Sequence, residues 1–219
     1  MTKLLITGTD TNVGKTVLTT SLVASWLQNY PQATIGLMKL MQTGYGDRQL
    51  YQKLFSDYSQ VEIVTPLEFS TPIAPPLAAD LEGKEIDLAL VWQSLSKLVE
   101  TKDLVVVEGI GGLGTPITHE LTVADLARDW RLPTILVVPV QLGAIAQTVA
   151  NVMFARYSKV KLQGIVLSCV TPDAVRQLEN LAPIALIESL TQTRVLGVIP
   201  YVNDSEDLKL LAQFADRLT

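Results

Sequence analysis

One cysteine, Cys169, and one histidine, His119, occur among 219 residues. A lone cysteine forms no internal disulfide, which suits a reducing compartment and predicts a cytoplasmic protein. A lone histidine has no second imidazole nearby, so a surface role is expected of it rather than a catalytic one. Basic residues are also few: 17 Lys and Arg stand against 22 Asp and Glu, a net charge of −5. That balance argues against a general nucleic-acid binder and against an anionic-membrane binder. The apolar run after Lys3 is too short for a signal peptide. Leu132 to Ala155 carries no charge and is long enough to raise the question of a membrane span. Pro139 and Gly143 interrupt it, and Gln141, Gln147 and Asn151 are spread through it. It reads instead as a buried strand at Ile135–Val138, then a helix with Ile145, Val149, Val152 and Met153 at helical spacing.

What is present is an apolar fraction of 48%, ample for one core, in a length that fits one α/β domain over residues 1–219. The N-terminus is the most informative stretch. An apolar run to Thr7 is followed by Gly8-Thr9-Asp10-Thr11-Asn12-Val13-Gly14-Lys15-Thr16, then by a helical pattern with Leu18, Leu22 and Trp26 on one face. Strand, Gly-containing loop, Gly-Lys-Thr and helix is the layout of a phosphate-binding loop. Its backbone N–H groups and the helix N-terminus would hold a nucleotide's phosphates. Lys15 would reach the β- and γ-phosphates, and the Thr16 hydroxyl would bind Mg²⁺. The usual motif has four residues between its first Gly and the Gly-Lys pair; here Thr9 stands at that first position. A strand-to-helix turn that merely starts a helix is the competing reading.

Thr34 to Met41 reads as a second strand with Lys39 near its end, either a ligand-binding cation or a solvated strand end. Ligands of open α/β sheets gather at the C-terminal ends of strands, which puts Lys39 and Thr43 on the same rim as the phosphate loop. Asp47 opens a short helix. Residues 56–83 read as irregular, with Pro66, Pro72, Pro75 and Pro76 against a regular helix across them. Asp87 is the expected cap of a helix in which Trp92 is read as a core anchor. Leu104 to Val107 is a buried strand ending in Glu108, an acid whose place there fits Mg²⁺ held opposite the phosphate loop. Gly109 to Gly114 matches a dinucleotide fingerprint by letter, but Pro116 turns the chain away from the helix that fingerprint needs. It is expected to be a flexible loop with bare backbone. Thr122 caps a helix through Trp130; Thr134–Val138, Leu162–Val170 and Arg194–Ile199 read as strands. A helix over Gly143–Tyr157 and an irregular helical segment after Pro172 separate them. Asp204 or Ser205 is expected to cap a last helix. Strands alternating with helices predict a single doubly wound α/β domain, a mainly parallel sheet flanked by helices, of phosphate-loop NTPase type.

With these pieces placed, the chain resembles the dethiobiotin synthetases. That family carries Gly-Thr-Asp-Thr-x-Val-Gly-Lys-Thr, found here at Gly8–Thr16, and a Glu-Gly-x-Gly-Gly-x-x-x-Pro element similar to Glu108–Pro116. Its Lys-Pro-x-x-(Ser/Thr)-Gly element looks like Lys39–Gly44, and its late Gly-x-Ile-Pro-(Trp/Tyr) looks like Gly197–Tyr201. The resemblance implies ATP-dependent closure of 7,8-diaminopelargonate with CO₂ to dethiobiotin, through a carbamate and a carbamic–phosphoric anhydride. By resemblance, Lys15 and Lys39 are catalytic, and Mg²⁺ is held by Thr16, Asp47 and Glu108. ATP lies along Asn12, Val13, Gly14, Lys15, Thr16 and Val17, along Asp47, Glu108, Gly109, Ile110 and Gly111, and against Ser168, Pro200, Tyr201 and Val202. Thr11, Lys39, Thr43, Gly111 and Gly112 bind the diamine, and a homodimer completes the site.

Three departures accompany the resemblance. Leu40 replaces a common Pro. Ser168-Cys169 stands where the family usually has Asn-Asp, whose Asn reads the adenine edge; a serine hydroxyl reaches less far and makes fewer bonds, which predicts looser base selection. Ala146-Gln147 replaces an Asn-His pair near the substrate's carboxylate tail. The competing classes are a switch or partitioning ATPase of similar fold and another amide-forming ligase. Many partitioning ATPases carry a further lysine near the start of the loop, and Thr7-Gly8-Thr9 has none.

Overall fold

The structure is a computed structural model and describes residues 2–203, 206–216 and 218. In chain order its strands are β1 (Thr2–Gly8), β2 (Ile35–Lys39), β3 (Gln42–Thr43), β4 (Val61–Val64), β5 (Glu68–Phe69), β6 (Leu104–Gly112), β7 (Thr134–Pro139), β8 (Leu162–Ser168) and β9 (Val195–Ile199). The helices are α1 (Lys15–Asn29), α2 (Asp47–Phe55), α3 (Pro75–Glu82), α4 (Leu88–Thr101), α5 (Val123–Asp129), α6 (Ala144–Tyr157), α7 (Ala174–Leu181), α8 (Ile184–Thr191) and α9 (Leu208–Ala215). Seven strands form one sheet in the order β4-β2-β6-β1-β7-β8-β9, and β3 pairs with β5 beside it. The pairings are parallel throughout.

A parallel sheet is covered on both faces, so its central strands are continuous apolar runs. β6 shows how the pleat divides such a run. Val105 and Val107 face one core with Leu95, Leu98 and Leu126. Leu104 and Val106 face the other, with Leu18, Leu37, Phe55 and Leu211. β6 and β7 lie on opposite sides of β1, so the segments leaving the C-terminal ends of these strands diverge and leave a crevice there.

Several expectations are corrected. Residues 56–83 are not irregular: they hold β4, β5 and α3. Pro75 and Pro76 occupy the first turn of α3, where a missing N–H costs nothing, and Gly83 closes the helix at φ 61°. Gly109 to Gly112 continues β6 rather than forming a loop. A Cβ at Gly112 would lie 2.8 Å from the Gly8 carbonyl, so the bare backbone lets β6 run close against β1. The stretch after Pro172 is two ordered helices, α7 and α8. Trp92 is 43% exposed and meets the partly buried Trp130 at a tilt, ring centroids 5.4 Å apart, so it is not a core anchor. Met153 is likewise exposed. β2 stops at Lys39, short of Met41. The caps at Asp87 and Thr122 are as expected, and His119 is on the surface, 3.0 Å from Asp80. The cap expected at Asp204 or Ser205 lies outside the described residues; Asp207 caps α9 by accepting from the Lys209 and Leu210 N–H groups. No helix among the described residues is long and apolar enough to cross a membrane.

Candidate active site

The segment between β1 and α1 wraps around a lysine. Lys15 is buried, and its Nζ donates to the Asp10 carbonyl at 2.7 Å. Gly14 turns the chain at φ 97°, and Asn12 also has positive φ, at 55°. The first turn of α1 has no side-chain cap, so its N–H groups are free to bind an anion. Burial pulls the Lys15 ammonium below its ordinary range and outweighs the attraction of Glu108; Lys39 nearby lowers it further. An anionic phosphate would restore what burial removes.

β2 and β6 place the other charges. Lys39, the last residue of β2, is the register partner of Glu108, midway along β6. Lys39 Nζ donates to Glu108 Oε1 at 2.6 Å and to the Gly109 carbonyl at 3.1 Å. It also forms an ion pair with Asp47. Burial, the largest single influence, pulls the Lys39 pKa down, but Glu108 and Asp47 together raise it, so the residue is a buried cation. The solvated-strand-end reading is therefore excluded: Lys39 is 3% exposed. Asp47 is held below its ordinary range despite its own burial, because Lys39 sits against it. Thr16 Oγ1 lies 3.0 Å from Asp47 Oδ1 and 3.2 Å from Glu108 Oε1.

Two participants have no counterpart in the sequence reading. Tyr51 is fully buried and donates from its hydroxyl to Glu108 Oε2. Burial and the Glu108 carboxylate push its phenol well above the usual range. The available signal was spacing: Tyr51 follows Asp47 by one helical turn, so both face the same way from α2. Gln42 is the other. It is buried, and its Oε1 accepts from the Arg48 N–H at 2.9 Å while Nε2 donates to Gln49 Oε1 at 3.1 Å. Gln49 Oε1 in turn accepts from the Gly46 N–H. These bonds fix the turn that presents Asp47.

A cavity of about 230 Å³ opens onto this cluster. Of the expected residues, Thr11, Asn12, Gly14, Lys15, Thr16, Lys39, Thr43, Asp47, Glu108, Ile110 and Gly111 line it, together with Gln42, Tyr45 and Gly46. The others stand apart. Val13 is in the core, and Val17 lines a neighbouring hollow with Thr20 and Leu50. Gly109 contributes its carbonyl to Lys39. Gly112 lines a separate hollow with Thr9, Asp10 and Phe154. Ser168 is buried beneath the phosphate loop: a Cβ on Gly14 would lie 2.2 Å from its Oγ. Pro200, Tyr201 and Val202 follow β9 at the same edge of the sheet without lining the cavity.

The oxygen set suits Mg²⁺. Among the described residues no cluster of three or more His, Cys, Asp or Glu could hold a metal. One hydroxyl and two carboxylates do converge beside the phosphate loop. Mg²⁺ takes hard oxygens and usually one or two carboxylates, completing its shell with water and substrate phosphates. The two carboxylates are already held together by the Lys39 ammonium, so the local charge is set for a cation.

The chain is similar to known proteins along its whole length. A family model described as an AAA domain matches residues 2–208. The ATP-dependent dethiobiotin synthetase BioD of Gloeothece citriformis is 56% identical over 218 residues, covering 100% of this chain and 96% of that protein. The protein of the same name from Synechocystis sp. is 55% identical, covering 98% and 91%. The one from Bacillus velezensis is 32% identical, covering 91% and 87%. Among solved structures, the MinC:MinD cell division complex of Aquifex aeolicus is similar with a TM-score of 0.64 at 12% identity, covering 100% of this chain and 94% of that one. A ParA family ATPase from Chlorobium tepidum gives 0.62 at 10% identity, covering 98% and 90%. At these identities the two structures bear on the fold alone, a phosphate-loop NTPase-like sheet.

Proposed function

The chain belongs to the ATP-dependent dethiobiotin synthetases, and from that premise we propose that the cavity beside the phosphate loop is where it closes the urea ring. The reaction converts 7,8-diaminopelargonate, CO₂ and ATP into dethiobiotin, in biotin synthesis. One observation carries the assignment to this cavity: two buried lysines and three hard oxygens converge on a single space. A carbamate that meets a triphosphate brings anions together, and preorganised cations are the protein's main means of making that encounter favourable.

The steps distribute over named residues. One amine of the substrate takes up CO₂ and loses a proton, giving a carbamate. Thr11 and Thr43, on the cavity wall, hydrogen-bond the carbamate or the diamine, and the Gly111 backbone adds to this hold; the Gly112 N–H already donates to Thr115 Oγ1. Lys15 exchanges the Asp10 carbonyl for phosphate oxygens. The carbamate oxygen attacks the γ-phosphorus and ADP leaves, with Lys39 drawn from its carboxylate partners toward the transferring group. The second amine then attacks the carbamate carbon, the C–O bond to phosphate breaks, and dethiobiotin and phosphate are released. Mg²⁺ held by Thr16, Asp47 and Glu108 would neutralise charge on the triphosphate. The adenosine end extends over Gly14 toward Ser168 and Pro200–Val202. In this reading residues 1–219 form a single domain, and the enzyme works in the cytoplasm.

A homodimer completes the site in this reading. An apolar hollow of about 620 Å³ between α6, α7 and α8 is lined by Leu142, Ile145, Val149, Leu181 and Leu190, and Leu142 is 89% exposed. The start of α6 has no side-chain cap and could bind the partner's substrate carboxylate by its N–H groups. Light scattering after gel filtration measures this state directly.

The assay follows phosphate release from ATP and Mg²⁺ in bicarbonate buffer, with and without 7,8-diaminopelargonate, and dethiobiotin by mass spectrometry in the same tubes. Release that requires the diamine and matches the product is expected. Release indifferent to the diamine, with no product, would move the chain to the switch-ATPase class.

A further inference from the structure

Tyr51 is not explained by packing alone. A phenol filling an apolar space needs no hydroxyl, yet this hydroxyl reaches Glu108, whose side chain is entirely buried. The two oxygens of Glu108 are treated differently. Oε1 faces the cavity side, with Lys39 Nζ at 2.6 Å and Thr16 Oγ1 at 3.2 Å. Oε2 is taken by Tyr51. The donor comes from α2, the same helix that begins with Asp47 and lies one turn from it. One helix therefore supplies a carboxylate to the cluster and fixes the orientation of the other carboxylate.

We propose that Tyr51 is a positioning residue that withholds one oxygen of Glu108, so that Glu108 offers a single oxygen to the divalent cation and the site favours Mg²⁺ over Ca²⁺. The inference rests on the reading of Glu108 as a Mg²⁺ ligand. The discrimination follows from coordination chemistry: Ca²⁺ accepts six to eight oxygens and often takes a carboxylate through both, whereas Mg²⁺ requires near-octahedral geometry with single contacts. Residues that hydrogen-bond a metal ligand set its orientation, and their loss commonly costs about 10- to 100-fold in metal affinity.

Full-length protein saturated with a non-hydrolysable ATP analogue is titrated with Mg²⁺ and with Ca²⁺ by calorimetry, for wild type, Tyr51→Phe and Glu108→Gln. Tyr51→Phe should weaken Mg²⁺ by about tenfold while Ca²⁺ weakens less or tightens, so the Mg²⁺/Ca²⁺ ratio falls. Glu108→Gln should weaken both ions. An unchanged ratio in Tyr51→Phe, with both ions weakened in Glu108→Gln, overturns the role of Tyr51 and leaves Glu108 as a ligand. Unchanged binding in Glu108→Gln overturns both. A lowered melting temperature in Tyr51→Phe with unaltered ratio would reduce Tyr51 to a packing residue. Should Tyr51→Phe fail to fold, a crystal structure of the wild-type analogue complex with Ca²⁺ decides. One Glu108 oxygen on the ion is expected; both oxygens within about 2.6 Å of it would overturn the proposal.

Discussion

The C-terminal edge of the sheet has two unlike ends. Around β2, β6 and the phosphate loop, Lys15, Lys39 and Glu108 are buried along one cavity, with Lys39 and Glu108 in contact and Tyr51 bonded to Glu108. Around β8 and β9, the corresponding positions are Ser168, Cys169, Pro200, Tyr201 and Val202, and among these described residues there is no carboxylate or ammonium; Tyr201 is exposed. Burying charge is expensive unless it is paired, and breaking such a pair is worse than never having had it. The difference teaches where this chain concentrates that cost. It lies where a phosphoryl group would be transferred, and the end that would meet the base is left with a short hydroxyl packed under Gly14.

The strongest way to break this contrast is to remove the buried cation. Lys39→Ala leaves Glu108 unpaired in the interior, and a fall of about 3 kcal/mol in unfolding free energy is expected by denaturant titration of the metal-free protein. In the assay, kcat should fall about 10³-fold, the scale of a lost electrostatic contact to the transition state, with the KM for ATP changing far less. Retained turnover would place the charge cluster outside the chemistry.

Gly14→Ala tests the seam between the two ends. The residue has φ 97°, and its new methyl would meet Ser168 Oγ at 2.2 Å. The strain is on the order of 1–3 kcal/mol, and nucleotide affinity should fall at least tenfold in an equilibrium titration. Pairing it with Ser168→Gly should recover part of the affinity, because the clash is then removed and only the backbone strain remains.

A smaller effect is expected in acid. Lys39 holds Asp47 below its ordinary pKa. The folded value is depressed, so the stabilisation from Asp47 is fully present above the unfolded value, about 3.9, and is lost as pH falls through the folded value. In metal-free protein the melting-temperature gap between wild type and Asp47→Asn should be constant near neutrality and shrink below about pH 4. A gap that persists at lower pH would mean that the Lys39–Asp47 pair contributes nothing to it.

Much of this was legible in the chain itself. Alternating apolar runs and helical patterns gave the doubly wound sheet, because a parallel sheet needs continuous apolar strands and covered faces. The phosphate loop and the acid that follows the apolar run of β6 stood out as polar groups where the pattern called for apolar ones. Lys39 was ambiguous, since a strand end can be solvated or buried, and only the register with Glu108 decides. Residues 56–83 were misread because prolines were counted as breakers without asking whether they fell in a first turn. Gly109–Gly112 was misread as a loop because glycine weakens strand propensity, whereas here close approach to β1 requires it. Gln42 left no signal, and Tyr51 left only its spacing from Asp47, for a different reason. Each acts through a tertiary contact to a group distant in sequence or through a turn whose geometry the letters do not specify.

The most direct test of the contrast is a comparison of kcat/KM for ATP, CTP and GTP under identical diamine, bicarbonate and Mg²⁺. Ser168 is buried under the phosphate loop, and in the proposed reading its one short hydroxyl stands in place of a longer amide that would reach the base. The three values should fall within about tenfold of one another, since one missing hydrogen-bonded contact separates them. An ATP preference of several orders of magnitude would contradict the account, and would require base-reading groups at the β8–β9 end beyond Ser168.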